Sequence, residues 1–318
     1  MSDWKPIASI HTLQLRAAFF KKIRHFFEER KILEVETPQL SRAMGTDPYL
    51  HYFTTDFSLP NTKHSTTLYL QTSPEFAMKR LLAAGSGSIY QICKAYRNGE
   101  SGRLHNLEFT MLEWYRVGFD HHDLMKEVDA FLQTILDCKP AHYISYRSLF
   151  ENHFDFNPHE ISLKELKEKT KKLDLEEALI ASFDKDTFLQ YLLATFVEPQ
   201  LGLASPVFVY DFPASQAALA RIKEGIASRF EVYIQGIELA NGFHELNNAE
   251  EQRKRFENDL KTRQEKNHPL PLIDNYFLES LPSLPDCAGI ALGIDRLIMI
   301  ALKKKSLKDV ITFSFENT

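Results

Sequence analysis

Two apolar runs of strand length, Ile89 to Arg97 and Leu107 to Tyr115, flank a polar loop, Asn98 to Asn106, that carries Gly99 and Gly102. Runs joined in this way predict a long antiparallel hairpin. Alternation along the second run projects Phe109, Met111, Glu113 and Tyr115 to one face. An acid among apolar and aromatic groups makes a poor plain core. A buried carboxylate costs several kcal/mol unless it is paired, so Glu113 needs a cationic partner or water. The plain alternative is a hairpin half exposed to solvent.

The rest of the chain supplies partners for that hairpin. From His11 to Arg30, Leu15, Ala18, Phe19, Ile23, Phe26 and Phe27 recur at helical spacing. Ile32 to Val35 then reads as extended, and Pro38 ends it. Leu68 to Gln71 reads as a strand, and a helix starts near Pro74. Strands are expected at Val207 to Tyr210, Phe230 to Gln235 and Ile237 to Leu239, with Gly236 at the junction. Ala288 to Leu292 is a short buried strand before a helix from Arg296 to Lys303. Between His121 and about Leu203 the pattern is helical and polar. Its part from Ile161 to Ile180, with leucines at 163, 166, 173, 175 and 179, reads as amphipathic helix with a solvated face. The order predicts an α+β fold with a central antiparallel β-sheet flanked by helices. We expect one domain over residues 1–318 with a mainly helical insertion at about 121–203.

Composition narrows the function classes. The 318 residues carry a net charge of −5, and 44% are hydrophobic. That excludes a disordered chain, a collagen-like chain and a strongly basic nucleic-acid binder. Cys93, Cys138 and Cys287 are widely spaced, which argues against a disulfide framework or a cysteine zinc site and fits a reducing cytosol. The N-terminus has no apolar signal core, and Asp295 and Arg296 interrupt the most apolar stretch, Cys287 to Leu302. A cytoplasmic protein without a membrane partner is expected. There is no P-loop: Gly85-Ser86-Gly87-Ser88 lacks the lysine. Lys303-Lys304-Lys305 reads as charge complementing a helix C-terminus.

Two further stretches carry chemistry. In Gly236 to Asn247, Glu238 and Glu245 bracket what reads as a turn at Asn241-Gly242. Two such carboxylates can hold a hard divalent ion against phosphate oxygens, or they are simply exposed acids. In Ala288 to Leu297, Arg296 stands in the first turn of a helix, where the helix dipole disfavours a cation. Either it meets an anion or a base, or it closes a salt bridge.

Together and in this order, the three stretches resemble the catalytic domain of class II aminoacyl-tRNA synthetases, and within it the lysyl branch. Phe26 to Pro38 resembles motif one, the dimer-forming helix and strand; the Arg97 hairpin resembles motif two; Gly293-Ile294-Asp295-Arg296 resembles motif three. Thr72 to Glu75, Asn106 to Tyr115 and Asn241 to Asn247 are similar to lysyl-enzyme blocks around them. The resemblance runs from about Leu15 to Phe315.

It implies ATP and Mg2+ as cofactors and a homodimer formed through motif one. By resemblance Arg97 and Arg296 are catalytic. Arg97, Asn98, Gly99, Glu100, Asn106, Phe109, Glu238, Leu239, Gly293 and Arg296 hold ATP, with Glu238 and Glu245 on the metal. Ser73, Pro74, Glu75, Glu113, Tyr115, Glu245 and Ala291 bind the amino acid. Motif one begins about 25 residues from Met1, which leaves no room for an anticodon-binding domain. The chain therefore resembles the paralogue branch that modifies translation elongation factor P, which implies transfer of (R)-β-lysine to a lysine of that factor. Ser73 and Ala291, where synthetases have alanine and glycine, fit a pocket reshaped for a β-amino acid. The family's Arg-Asn-Glu triplet becomes Arg97-Asn98-Gly99-Glu100, so the adenine-reading acid is shifted or lost, and Leu107 replaces a proline. Two alternatives stay open: a truncated lysyl-tRNA synthetase charging tRNA, against which the net charge of −5 argues, and a catalytically inactive regulatory dimer.

Overall fold

The computed structural model describes residues 4–61, 65–173, 175–176 and 180–318. It comprises two compact units, residues 1–118 with 246–318, and residues 119–245.

In the first unit the expected hairpin forms. Strand Ile89–Tyr96 pairs antiparallel with Glu108–Val117, which pairs antiparallel with Cys287–Gly293, and Leu33–Glu34 adds a parallel edge to Ile89–Tyr96. Two-residue alternation splits this sheet into faces. Tyr90, Leu112, Trp114, Ile290 and Leu292 are buried on one of them. Helix Ile10–Glu29, capped by the Ser9 hydroxyl accepting from Thr12 N, supplies Phe27 to that face. Phe27 stacks on Tyr90 at 4.2 Å and meets Trp114 edge-on at 5.4 Å. The other face carries Phe109, Met111, Glu113 and Tyr115 opposite Ala95, Cys93, Gln91 and Ile89. A small sheet, Leu40–Ser41, Ser65–Leu70 and Thr54–Ser58, lies in the same unit, as do helices Glu75–Ala83, Ala249–Glu265, Asn275–Ser280 and Ile294–Ala301. Beyond Ala301, Lys303 N and Lys304 N donate to the carbonyls of Ile300 and Met299, so the lysine run closes a helix end.

The second unit is also built on a sheet. Val207–Pro213 pairs antiparallel with Ile226–Ile234, which turns at Gln235 and Gly236, both left-handed, into Ile237–His244. His142–Ser145 lies parallel to Val207–Pro213, so the segment expected to be an inserted helical run also contributes a strand. Its helices are His121–Leu136, Tyr146–Phe154, Leu163–Thr170 and Lys185–Leu192, the last continuing as a π-helical turn, Leu193–Val197. Leu166 is fully buried while Leu163, Leu173 and Leu175 pack partly against the core of Tyr146, Phe150, Phe188 and Phe212. The lysines between them face solvent, as an amphipathic helix requires. Leu179 lies outside the described residues. The turn expected at Asn241-Gly242 is absent: the ladder runs through Glu231↔Asn241 and Phe230↔Gly242, and the reversal occurs at Gln235-Gly236 instead.

Among the described residues no helix is long and apolar enough to cross a membrane. Phe27→Ala should lower the unfolding free energy by about 3–5 kcal/mol, read as a lower urea midpoint at unchanged slope.

Candidate active site

In the first unit, the sheet face opposite the core builds a polar pocket around Glu113. Ala291 is the direct cross-strand partner of Glu113 and Gly293 that of Met111, so both lie on the face that carries the acid. Pro74 precedes helix Glu75–Ala83 and sets Glu75 in its first turn, where a negative charge is favoured. Ser73 binds both elements together: its hydroxyl donates to Glu113 Oε1 at 2.5 Å and accepts from Glu75 N at 3.1 Å. Tyr115 OH donates to Glu113 Oε2 at 3.0 Å.

The sequence called for a cationic partner or water beside Glu113, and the structure supplies two hydroxyls. Glu113 is 1% exposed and held by two hydroxyls. Burial, reinforced by the charge of Glu75, pushes its carboxyl well above the ordinary carboxylate range, against the pull of Ser73, Tyr115 and Lys79. The cation goes to Glu75 instead: Lys79, also buried, donates to Glu75 Oε1 at 2.6 Å. These side chains thus balance close to neutral, one ion pair beside one protonated acid. Cys93 shares the face, and burial followed by Glu113 pushes its thiol up to about 12, so it stays a thiol.

At the hairpin tip, Arg97 and Arg296 gather around one loop. Arg97 Cζ lies 5.1 Å over the Phe109 ring, Nη1 is 3.7 Å from Glu100 Oε1, and the buried Nε has no hydrogen-bond partner among the described residues. Asn98 N donates to the His51 carbonyl, and Gly99 takes a left-handed φ of +84°. Arg296 donates from Nε to the Leu104 carbonyl at 3.3 Å and lies 2.8 Å from His105 Nε2 through Nη2. Burial and Arg296, then Arg97, push His105 below the usual histidine range, so its neutral ring accepts from Arg296. Asn106 is a bracket: its amide donates to the Glu108 carbonyl and accepts from Phe315 N. Gly293 caps helix Ile294–Ala301, and the next acid, Asp295, explains why an arginine is tolerated at position 296. Asp295 accepts from Thr110 N at 2.8 Å and ion-pairs with Arg16 at 2.6 Å.

In the second unit, Glu238 and Glu245 are seven positions apart, which strict alternation would put on opposite faces. The ladder skips Leu239: Tyr233 pairs with Glu238 and Val232 with Ala240. This β-bulge brings Glu238 to the face of Asn241 and Phe243, opposite Tyr233, Glu231 and Arg229. Continued alternation leads to Glu245, buried at the bridge with Ala220. Their donor set is oxygen only, which fits a hard ion such as Mg2+. On this face Arg229 pairs with Glu231 at 2.5 Å and donates to Asn241 Oδ1 at 3.1 Å.

The first unit therefore brings together Ser73, Pro74, Glu75, Glu113, Tyr115 and Ala291 in one group, and Arg97, Glu100, Phe109 and Arg296 in another, while Glu238 and Leu239 lie in one strand of the second unit and Glu245 directly follows it. Sequence reasoning missed Lys79 and His105. The first was readable as a lysine four residues after Glu75 on one helix face; the second carried no local signal.

Residues 4–317 match the family model described as tRNA synthetases class II (D, K and N). The chain is 52% identical over 318 residues to the elongation factor P–(R)-β-lysine ligase of Vibrio atlanticus, with 99% of this chain and 98% of that protein covered. The protein of that name from Vibrio cholerae is likewise 52% identical over 318 residues, with the same coverage, and that from Salmonella gallinarum is 50% identical over 319 residues, covering 99% and 98%.

Glu113 also leaves a mark on stability. Its folded-state affinity for a proton exceeds that of the unfolded chain, so the stability it contributes is full below the ordinary glutamate range. That contribution is lost as pH rises toward the raised folded value. Glu113→Gln should flatten this loss, so that the variant gains on the wild type as pH increases; parallel urea midpoints of the two between pH 5 and 8.5 would refute it.

Proposed function

Because the chain belongs to the class II tRNA synthetases (D, K and N), we propose that it activates (R)-β-lysine with ATP and transfers it to a lysine side chain of translation elongation factor P. The observation that carries this reading is half identity over nearly the whole of both chains to ligases of that name. It favours the protein ligase over a tRNA-charging enzyme and over an inactive dimer. The enzyme acts in the cytoplasm. Leu33, 54% exposed on its edge strand, supports a homodimer through motif one.

Activation joins two anions, so positive groups must stand where charge grows. Arg97 holds the amino-acid carboxylate and the α-phosphate. Its placement over Phe109 fixes the guanidinium in advance. Phe109 stacks on adenine, and Arg296, oriented by Leu104 and His105, reaches the γ-phosphate. Asn98, Gly99, Glu100, Asn106, Leu239 and Gly293 line the nucleotide. Glu238 and Glu245 would hold Mg2+, which when bound neutralises phosphate charge. The carboxylate itself attacks the α-phosphorus and pyrophosphate leaves, so this step needs no general base. In the second step a neutral lysine amine of the factor attacks the adenylate carbonyl, AMP leaves, and a phosphate oxygen takes the proton. Positioning supplies the rate.

Glu75, Glu113 and Tyr115 receive the ammonium groups of the lysine isomer. Recognition of a cation here rests on ionising Glu113, which an uncharged analogue would leave protonated and hydrogen-bonded to Ser73 and Tyr115. Ser73, Pro74 and Ala291 shape its wall. Ala291 faces Glu113 directly, so its methyl sets the depth beside that acid.

Pyrophosphate exchange measured with α-lysine and (R)-β-lysine side by side should favour the β isomer. Stable transfer of label should go to elongation factor P; transfer to tRNA alone would overturn the reading. Arg97→Ala should abolish exchange with the fold retained, and wild-type rates would remove Arg97 from the mechanism. Ala291→Gly should shift preference toward α-lysine, and an unchanged ratio would remove Ala291 from the specificity argument.

A further inference from the structure

A second constellation lies in residues 119–245 and includes none of the groups assigned above. His121 and His122 open helix His121–Leu136, directly after its cap Asp120. Asp211 stands inside strand Val207–Pro213. One ligand atom from each of the three residues lies within 4.8 Å of the others. His121 is 7% exposed, Asp211 is half-buried, and His122 faces solvent.

Two observations set this group apart from a chance cluster. His121 Nε2 and Asp211 Oδ1 are 3.3 Å apart. That is long for a charge-assisted hydrogen bond of about 2.7–2.9 Å. It equals the ligand-to-ligand edge, about 3.3 Å, of a tetrahedron with metal bonds of about 2.0–2.1 Å. Asp211 holds a left-handed φ of +62° within a strand, a conformation an L residue adopts at a cost. The ladder register shifts at the same place, between Ala227 and Phe230, so the strand is bent where Asp211 leaves it.

We propose that His121, His122 and Asp211 bind a divalent first-row transition-metal ion, with two imidazoles and one carboxylate as protein ligands and water completing the shell. Nitrogen and oxygen donors in this mixture suit zinc, whereas an all-oxygen set would suit Mg2+. With every ligand-atom separation at or under 4.8 Å, the group lies within about 1.5 Å of a tetrahedral edge. The ion ties the first turn of the helix to a strand far along the chain, so it acts as a staple of this unit. Binding to the folded chain alone stabilises it by mass action.

The test uses the full chain after chelator treatment, with zinc and cobalt chlorides as probes. Equilibrium dialysis should find one zinc ion per chain that His122→Ala weakens at least tenfold. Asp211→Asn, which keeps a residue tolerant of left-handed backbone, should weaken it likewise. Cobalt should give the intense visible bands of a tetrahedral site, absent in both variants. Zinc should raise the Tm of the wild type but not of either variant, while pyrophosphate exchange in saturating Mg2+ stays at wild-type level in His122→Ala. No binding at 100 µM zinc, or binding that both variants retain, would overturn the site.

Discussion

The buried carboxylate of Asp295 holds the first unit in register. One of its oxygens accepts from the backbone of Thr110 in the hairpin's second strand, and the other faces Arg16 of the long helix. Three segments, 94 and 185 positions apart along the chain, thus meet at one charge. Removing one member of such a pair strands the other, at a cost of about 3–5 kcal/mol. Arg296 follows Asp295 directly, so the contact that fixes the fold also fixes where that guanidinium leaves the helix. Its two anchors on the hairpin loop, the Leu104 carbonyl and His105, do the rest.

Much of this was legible in the sequence because it is local. Strand alternation placed Phe109, Met111, Glu113 and Tyr115 on one face, and the hairpin loop predicted the antiparallel pairing that the structure has. The lysine run after the last long helix behaves as a helix terminus, as its charge and position suggested. What escaped was set by tertiary context. Asn241-Gly242 has the composition of a turn, yet pairing with Phe230 and Glu231 keeps it extended. The bulge at Leu239, which aligns Glu238 with Asn241, has no residue signature of its own.

The relation between Glu75, Lys79 and Glu113 shows the same limit. Two acids in one pocket suggest a strongly negative hole. The structure spends one on an ion pair and leaves the other protonated. The bulk and hydroxyl of Ser73 are likewise more than a change of volume, since that oxygen joins the helix start to the strand acid.

A protonated Glu113 makes its pocket a proton store. An incoming ammonium group would favour the ionised acid, so filling the cavity would expel a hydrogen ion to bulk water. Occupancy and ambient acidity are then linked through a single side chain, with loading easier in alkaline surroundings and release easier in acidic ones.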